Sequence, residues 1–373
     1  MITPKLRFAS FKKSWKSSKL ELAIASIQSG KSKDREINGQ FPLFGSTGVI
    51  GYTNKPEYSG KSILIARVGA NAGSKYVVDG EYSVTDNTLI LRLKEGCSYQ
   101  FFSDLLEHKK LNKLTFGSGQ PLVTGGLLKQ LEVNYPEENE QQKVASFLSK
   151  IDQKISLLTK KHELFAQYKK GVMQKIFNRE IRFKDRAEEN FPEWEYFSGD
   201  EIFKSVNNRN HNSELPILSA TQDRGMYPRS ENGIDIISSE KSVSSYKVIH
   251  KGDYVISLRS FQGGIEYSEY DGISSPAYTV LKPIKEISDN FFRAYFKKDS
   301  FISQLNSTVV GIRDGKQISF SAFSTLELPY PCIKEQELIA NFLSLIDKKI
   351  ALCNAELMAT KQYKQGLLQQ MFI

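Results

Sequence analysis

The sequence predicts an α+β fold. Two mixed α/β globules are separated by two long helices that form an antiparallel coiled coil, in a tandem repeat with a pseudo-twofold axis. Three observations lead there. The 373-residue chain is written twice, each copy ends in an apolar stripe of helical period, and each globule carries short apolar runs bounded by Gly and Asp. The expected segments are 1–135 (first globule), 136–178 (first long helix), 179–330 (second globule) and 331–373 (second long helix).

The repeat is clearest between 136–177 and 331–372, where 18 of 42 positions are identical at a constant shift of 195 with no gap. Its period is too long for a solenoid. Glu140, Gln141, Phe147, Leu148, Ile151, Asp152 and Ile155 recur as Glu335, Gln336, Phe342, Leu343, Ile346, Asp347 and Ile350. Upstream the match is fainter and the shift drifts: Ile63–Arg67 faces Val255–Arg259, Arg7 and Phe8 face Arg182 and Phe183, and Trp15 faces Trp194. Insertions and deletions therefore lie in the globules, while the spacers keep their length.

The spacers read as helices. Val144, Leu148, Ile151, Ile155, Leu158, His162, Phe165, Lys169, Val172 and Ile176 recur at alternating threes and fours, an a/d seam with polar interruptions at His162 and Lys169. The second copy gives Ile339, Leu343, Ile346, Ile350, Cys353, Leu357, Thr360, Lys364, Leu367 and Met371. Pro136 and Pro331 stand just upstream, where a helix start accepts them. So narrow a stripe needs a partner, and the other copy is the obvious one. A helix of ~38 residues spans ~57 Å, which would hold one globule near each end.

In the globules, Ile63–Ala66, Tyr76–Val78, Thr88–Leu93, Tyr254–Ser257 and Tyr278–Leu281 read as strands. Tyr99–Leu114 and Asn290–Leu305 read as helices, each followed by a Gly-rich polar loop (116–123 and 311–318). Exposed loops on a mixed domain suit a binding module.

The 51 Lys and Arg exceed the 42 Asp and Glu, a formal charge of +9. Such a surplus attracts polyanions over ~8–10 Å at physiological salt; nucleic acid, an anionic membrane or no partner at all would fit. The first long helix, 140–177, carries eight Lys against three acids, whereas the second has four of each. That face is a candidate phosphate track or a solvated surface. Cys97, Cys332 and Cys353 are too scattered for a disulfide framework or a metal knuckle, and no metal site is expected. No signal sequence or membrane-length apolar run is present, so a cytoplasmic protein without membrane contact is expected.

Catalytic motifs fail. Gly-Lys-Ser occurs at 30–32 and 60–62, but Ala25 and Lys55 stand where a phosphate loop needs Gly. No Asp-Pro-Pro-Tyr or Asn-Pro-Pro-Phe run is present to hold a base for amino methylation. No catalytic residue is expected.

Two variable globules alternating with two near-identical helices, with Glu140-Gln141, Ile151-Asp152 and Ile155 and their repeats, resemble the specificity subunits of type I restriction–modification systems over nearly the whole chain. The resemblance implies that each globule is a target-recognition domain reading one half of a split, asymmetric DNA site. The helices would set the gap and hold two methyltransferase (modification) subunits, with restriction/translocase subunits joining for cleavage. It also implies no cofactor in this chain, with S-adenosylmethionine, ATP and Mg on partner subunits. A standalone DNA-binding regulator and a coiled-coil adaptor remain alternative readings of the same layout.

Arg67 and Arg259 follow matching strands, which suggests a shared task such as phosphate binding, guanine reading or architecture. Base readers should differ between halves. In the first, Asn71, Ser74, Lys75, Asn87, Ser118 and Gln120 are the candidates; in the second, Gln222, Arg224, Arg229, Gln262, Arg313, Lys316 and Gln317.

Overall fold

The computed structural model describes residues 2–33, 36, 39–113, 121–231, 243–308 and 318–373. They form two compact units, 1–161 with 353–373 and 162–352. The boundaries cut both long helices, Glu138–Phe177 and Ile333–Met371, so each unit owns one globule and part of each helix. The four segments expected from sequence are thus topological divisions, and packing unites them differently.

In the first unit, four antiparallel strands pair in the order Ile24–Ser29, Thr88–Leu93, Ser62–Ala66, Lys75–Val78. Ser62–Ala66 is buried throughout, as a central apolar strand should be. A ribbon of Lys16–Lys19 against Glu132–Tyr135 brings the two ends of the globule together. A second sheet carries the hairpin Phe41–Gly45/Gly48–Thr53 beside Glu81–Val84.

The second unit has the same plan. Its sheet runs Phe203–Val206, Thr279–Pro283, Tyr254–Ile256, Glu266–Tyr267, and its closing ribbon is Glu195–Ser198 against Glu327–Tyr330. Leu218–Thr221 and Gly225–Pro228 form the corresponding hairpin. The strands expected from apolar runs are all present, Thr88–Leu93 to the residue and the others with ends displaced by at most two residues. Neither globular helix is as long as expected. Tyr99–His108 stops before a 3-10 turn at Leu111–Lys113. Asn290–Leu305 is broken into Asp289–Tyr295 and Asp299–Ser307, because Lys298 turns to an extended backbone and caps the second piece.

Within each unit the helices run antiparallel. Lys154 pairs with Glu356 and Lys364 with Asp152 in the first; Lys169 pairs with Asp347 in the second. All predicted seam positions are buried or half-buried, among them Leu148 and Leu357 in one unit and Leu343 and Ile346 in the other; Phe165 is half-buried. The polar interruptions at Lys169 and Lys364 are themselves the cross-helix ion pairs, at 2.5 and 2.8 Å. They sit at equivalent repeat positions, as do their partners Asp347 and Asp152.

The strongest sequence signal marks a clamp at each helix start. Arg7 makes two 2.7 Å hydrogen bonds to the buried Glu140 carboxylate, and Trp15 Nε1 adds a third at 3.2 Å. Arg182 and Trp194 do the same to buried Glu335, at 3.0–3.2 Å. Gln141 Nε2 donates to the Pro136 carbonyl at 2.9 Å while its Oε1 accepts from the Ser98 amide. Gln336 repeats this on Pro331 and Ser288. Phe8 meets Phe147, and Phe183 meets Phe342, edge to face. A buried carboxylate must be satisfied. Each Glu ties the segment entering its globule to the helix leaving it.

The far end of the opposite helix completes each core. Leu367, Leu368, Met371 and Phe372 join Trp15, Phe101 and Phe102 in the first unit. Met173, Ile176 and Phe177 join Trp194, Phe291 and Phe292 in the second. Among the described residues, no helix is long and apolar enough to cross a membrane.

Candidate nucleic-acid interface

In the first unit, strand ends Ser29 and Ala66 and strand starts Lys75 and Thr88 lie at one end of the four-stranded sheet. Antiparallel pairing therefore collects the loops holding Arg67, Asn71, Ser74 and Asn87 there. The Arg67 amide donates to the Asn87 carbonyl, and the Ser74 amide to that of Asn71. Asn71 and Asn87 are exposed, and Ser74 is half-buried. Arg67 is held inward: Nη1 donates to Ser29 Oγ at 3.0 Å and to the Asp86 carbonyl at 3.3 Å. That geometry favours architecture over an open guanidinium fork.

Lys75 is drawn into a charged cluster. It pairs with Glu107 at 2.8 Å; Lys364 reaches Glu107 at 3.3 Å, Asp152 at 2.8 Å and Asp104 at 3.9 Å. Burial pushes the Asp104 carboxyl up to about 7, against the pull of Lys364, and its Oδ2 has no hydrogen-bond partner among the described residues. Glu107 is also penalised by burial, but Lys75 and Lys364 hold it below the usual carboxylate range. Lys75 ties its strand to the globule's own helix Tyr99–His108, and Lys364 carries the link on to the long helices, which the sequence alone did not reveal.

The equivalent sheet end in the second unit gathers Val206, Ile256, Glu266 and Thr279. Arg259 leads into the helical turn Ser260–Gly263, and both Arg259 and Gln262 are exposed. Across from them stands the tip of the hairpin, where the Gln222 side chain lies against Gly263. Arg224 stacks over the Tyr227 ring at 4.6 Å, exposed. Arg229 instead donates from Nε to Ser219 Oγ at 2.9 Å, bracing the hairpin. Gln222, Gln262 and Arg259 thus converge. Ser118, Gln120, Arg313, Lys316 and Gln317 lie outside the described residues.

Sequence reasoning passed over the loop leaving Val206. Asn207 accepts from Arg209, and Lys247 donates to the Tyr278 carbonyl at 2.6 Å, its pKa drawn down by burial and by nearby Arg209. The run Asn207 to Asn212 looks like ordinary turn composition; only strand pairing brings it to the same edge as Arg259.

Within the second unit a cavity of about 860 Å³ opens between globule and helices, lined by Gln222, Glu266, Arg293, Lys297, Lys169 and Asp347 among others. Glu266 pairs with Lys297 at 2.7 Å; burial raises the carboxyl and lowers the ammonium. Among the described residues, no cluster of His, Cys, Asp and Glu could hold a metal ion. Several large apolar side chains on the long helices face solvent: Leu157 in the first unit, and Leu164, Leu345 and Leu352 in the second.

Comparison with known proteins agrees with this architecture. The model of the type I restriction modification DNA specificity domain matches residues 13–164 and 192–360. The MjaVIII type I restriction enzyme specificity subunit of Methanocaldococcus jannaschii is 23% identical over 367 residues, covering 90% of this chain and 86% of that one. The EcoprrI specificity subunit of Escherichia coli is 28% identical over 112 residues, 30% of this chain and 28% of its own length. A further relative from M. jannaschii, 26% identical over 257 residues, is spanned over 58% of its length. The S subunit from the M. genitalium type I restriction–modification system superposes with a TM-score of 0.63 at 17% identity, over 100% of this chain and 99% of that one. Two matches of the same domain model, one on each unit's globule, leave one conclusion: the chain belongs to the type I restriction–modification DNA specificity family.

Proposed function

We propose that this chain is the non-catalytic DNA-specificity subunit of a type I restriction–modification complex. It reads a bipartite, asymmetric site in double-stranded DNA, one half-site per unit. The observation that carries the reading is a single framework built twice, with different polar side chains at the same sheet end. Asn71, Ser74 and Asn87 stand there in one unit, and Gln222, Arg259 and Gln262 in the other. Asn and Gln suit bidentate adenine contacts and Arg suits guanine or phosphate, so different sets imply different half-sites.

The lysines of the first helix other than Lys154, Lys169 and Lys170, which ion pairs hold, supply sequence-independent contacts to phosphate. The exposed leucines of the long helices are where two modification subunits dock, with restriction/translocase subunits joining them. S-adenosylmethionine, ATP and Mg²⁺ belong to those partners, and the complex works in the cytoplasm.

The test is to coexpress the chain with its methyltransferase subunits and map methylated bases genome-wide. A split motif that appears only with this chain is the expected result; exchanging residues 1–135 for those of a relative should then change one half alone. An active complex that adds no methylation, or an exchange that alters both halves, would overturn the reading.

A further inference from the structure

The recognition turn of the second unit rests on a buried ion pair. Lys297 Nζ donates to the Gly263 carbonyl at 2.8 Å and to Glu266 Oε1 at 2.7 Å. Glu266 is 3% exposed, and its Oε2 has no hydrogen-bond partner among the described residues. Buried pairs of this kind contribute little net stability, because desolvation offsets the attraction and an unmatched oxygen adds to the cost. What this one achieves is geometric. Lys297 grips the last peptide of Ser260–Gly263, the turn that presents Gln262 behind Arg259. Against the same peptide lies Gln222: a Cβ on Gly263 would come within 2.7 Å of its Cγ and Nε2. Ion pair, turn and glutamine therefore meet at Gly263.

The first unit has an ion pair of inverted sign near its own sheet end. There Lys75, at the start of the strand following the turn, pairs with Glu107 on the helix Tyr99–His108. Glu107 cannot donate to a carbonyl and Lys75 donates to Glu107, so among the described residues it is the second unit that joins its ion pair to the turn by a donated hydrogen bond.

We infer that Lys297, held by Glu266, is a positioning residue for DNA specificity, fixing the Gly263 peptide and through it Gln222 and Gln262. This rests on the specificity-subunit reading above. Loss of the tether should blur the second unit's half-site and leave the first unit's half-site sharp.

The experiment uses the full chain coexpressed with its methyltransferase subunits, reading both the methylation motif and the melting temperature. Lys297→Met should lower methylation of the correct second half-site at least about tenfold relative to single-base variants of it, the scale of one lost bidentate contact. Gly263→Ala displaces Gln222 without touching the ion pair, and should shift preference at the same half in a folded protein. The double variant Glu266→Lys with Lys297→Glu restores the charge pair but offers no donor from position 297. It should regain wild-type melting while its recognition stays blurred. Recovery of the motif in the double variant, or unchanged motifs in both Lys297→Met and Gly263→Ala, would overturn the inference. A wild-type chain that directs no split motif would instead overturn the specificity reading beneath it.

Discussion

In the first unit, globule and helices are joined through a half-buried charged cluster: Asp104 and Glu107 from the globule, with Lys75, meet Lys364 and Asp152 from the helices. In the second, the equivalent Lys169 pairs with Asp347 of the other helix, and an open cavity lies beside it. There the polar ties between globule and helix beyond the helix-start clamp include the exposed pairs of Lys170 with Asp299 and Lys298 with Asn178. Yet both units share strand order, closing ribbon and helix-start clamp. The clamp is common because it is buried and must be satisfied in one way. The contact between globule and helix can be made by several charge arrangements, so it follows each globule's own sequence. Framework and contact surface are specified separately.

The sharpest way to break this comparison is to remove the shared part from each unit in turn. Glu140→Ala strands the Trp15 indole and leaves Arg7 with the Lys13 carbonyl, whereas Glu335→Ala strands the Trp194 indole but leaves Arg182 paired with Glu193 and the Phe191 and Pro192 carbonyls. Glu140→Ala should cost ~3–5 kcal/mol, the range for breaking a buried pair from one side, and Glu335→Ala less, because Arg182 keeps its other partners. Hydrogen exchange at each helix start, with chemical denaturation, would measure it. A cost confined to one unit would show that the frameworks are not energetically equivalent.

The second prediction separates the units by pH. Asp104 titrates at about 7 in the folded chain against 3.8 for the free group. Between those values the folded state binds more protons than the unfolded one, so stability falls as pH rises from about 4 to 7 and levels off above. The shift of roughly three units corresponds to a loss of at most ~4 kcal/mol. Asp104→Asn should flatten that slope in the first unit and leave the second unchanged. A slope that survives the substitution would place its origin elsewhere.

How far the sequence discloses this molecule follows the same division. Repeat, long helices, seam residues and central strands are legible because each depends on period and burial, which one chain records locally. The role of Glu140 is only half legible. Its recurrence marks it, but Arg7 and Trp15 lie more than a hundred residues away and must be brought in by the ribbon of Lys16–Lys19 with Glu132–Tyr135. The site is less legible still. Arg67 and Arg259 match in sequence, yet one is tied to Ser29 and the other stands exposed. Lys75 reads as a candidate base contact and is an inter-element tether. Lys297 gives no local signal, since its work depends on a carbonyl 34 residues earlier in the chain.

The smallest effect sharpens the comparison most. Lys364 and Lys169 are the same residue of the repeat, each bonded to the same aspartate of the opposite helix. Lys364→Ala also removes one of the two lysines on Glu107 and leaves buried Asp104 with only the more distant charge of Lys75, and should cost ~2–3 kcal/mol. Lys169→Ala removes one pair whose Asp347 partner is 54% exposed, and should cost ~0.5–1 kcal/mol after solvent screening. The difference measures what the first globule adds to an otherwise identical helix contact. Denaturation at two salt concentrations tests it: the Lys169 pair should fade in high salt, and the cluster around Lys364 and Asp104 should fade less. Equal costs for the two substitutions would mean that the globule adds nothing to the helix pair, and the contrast drawn between the units would fall.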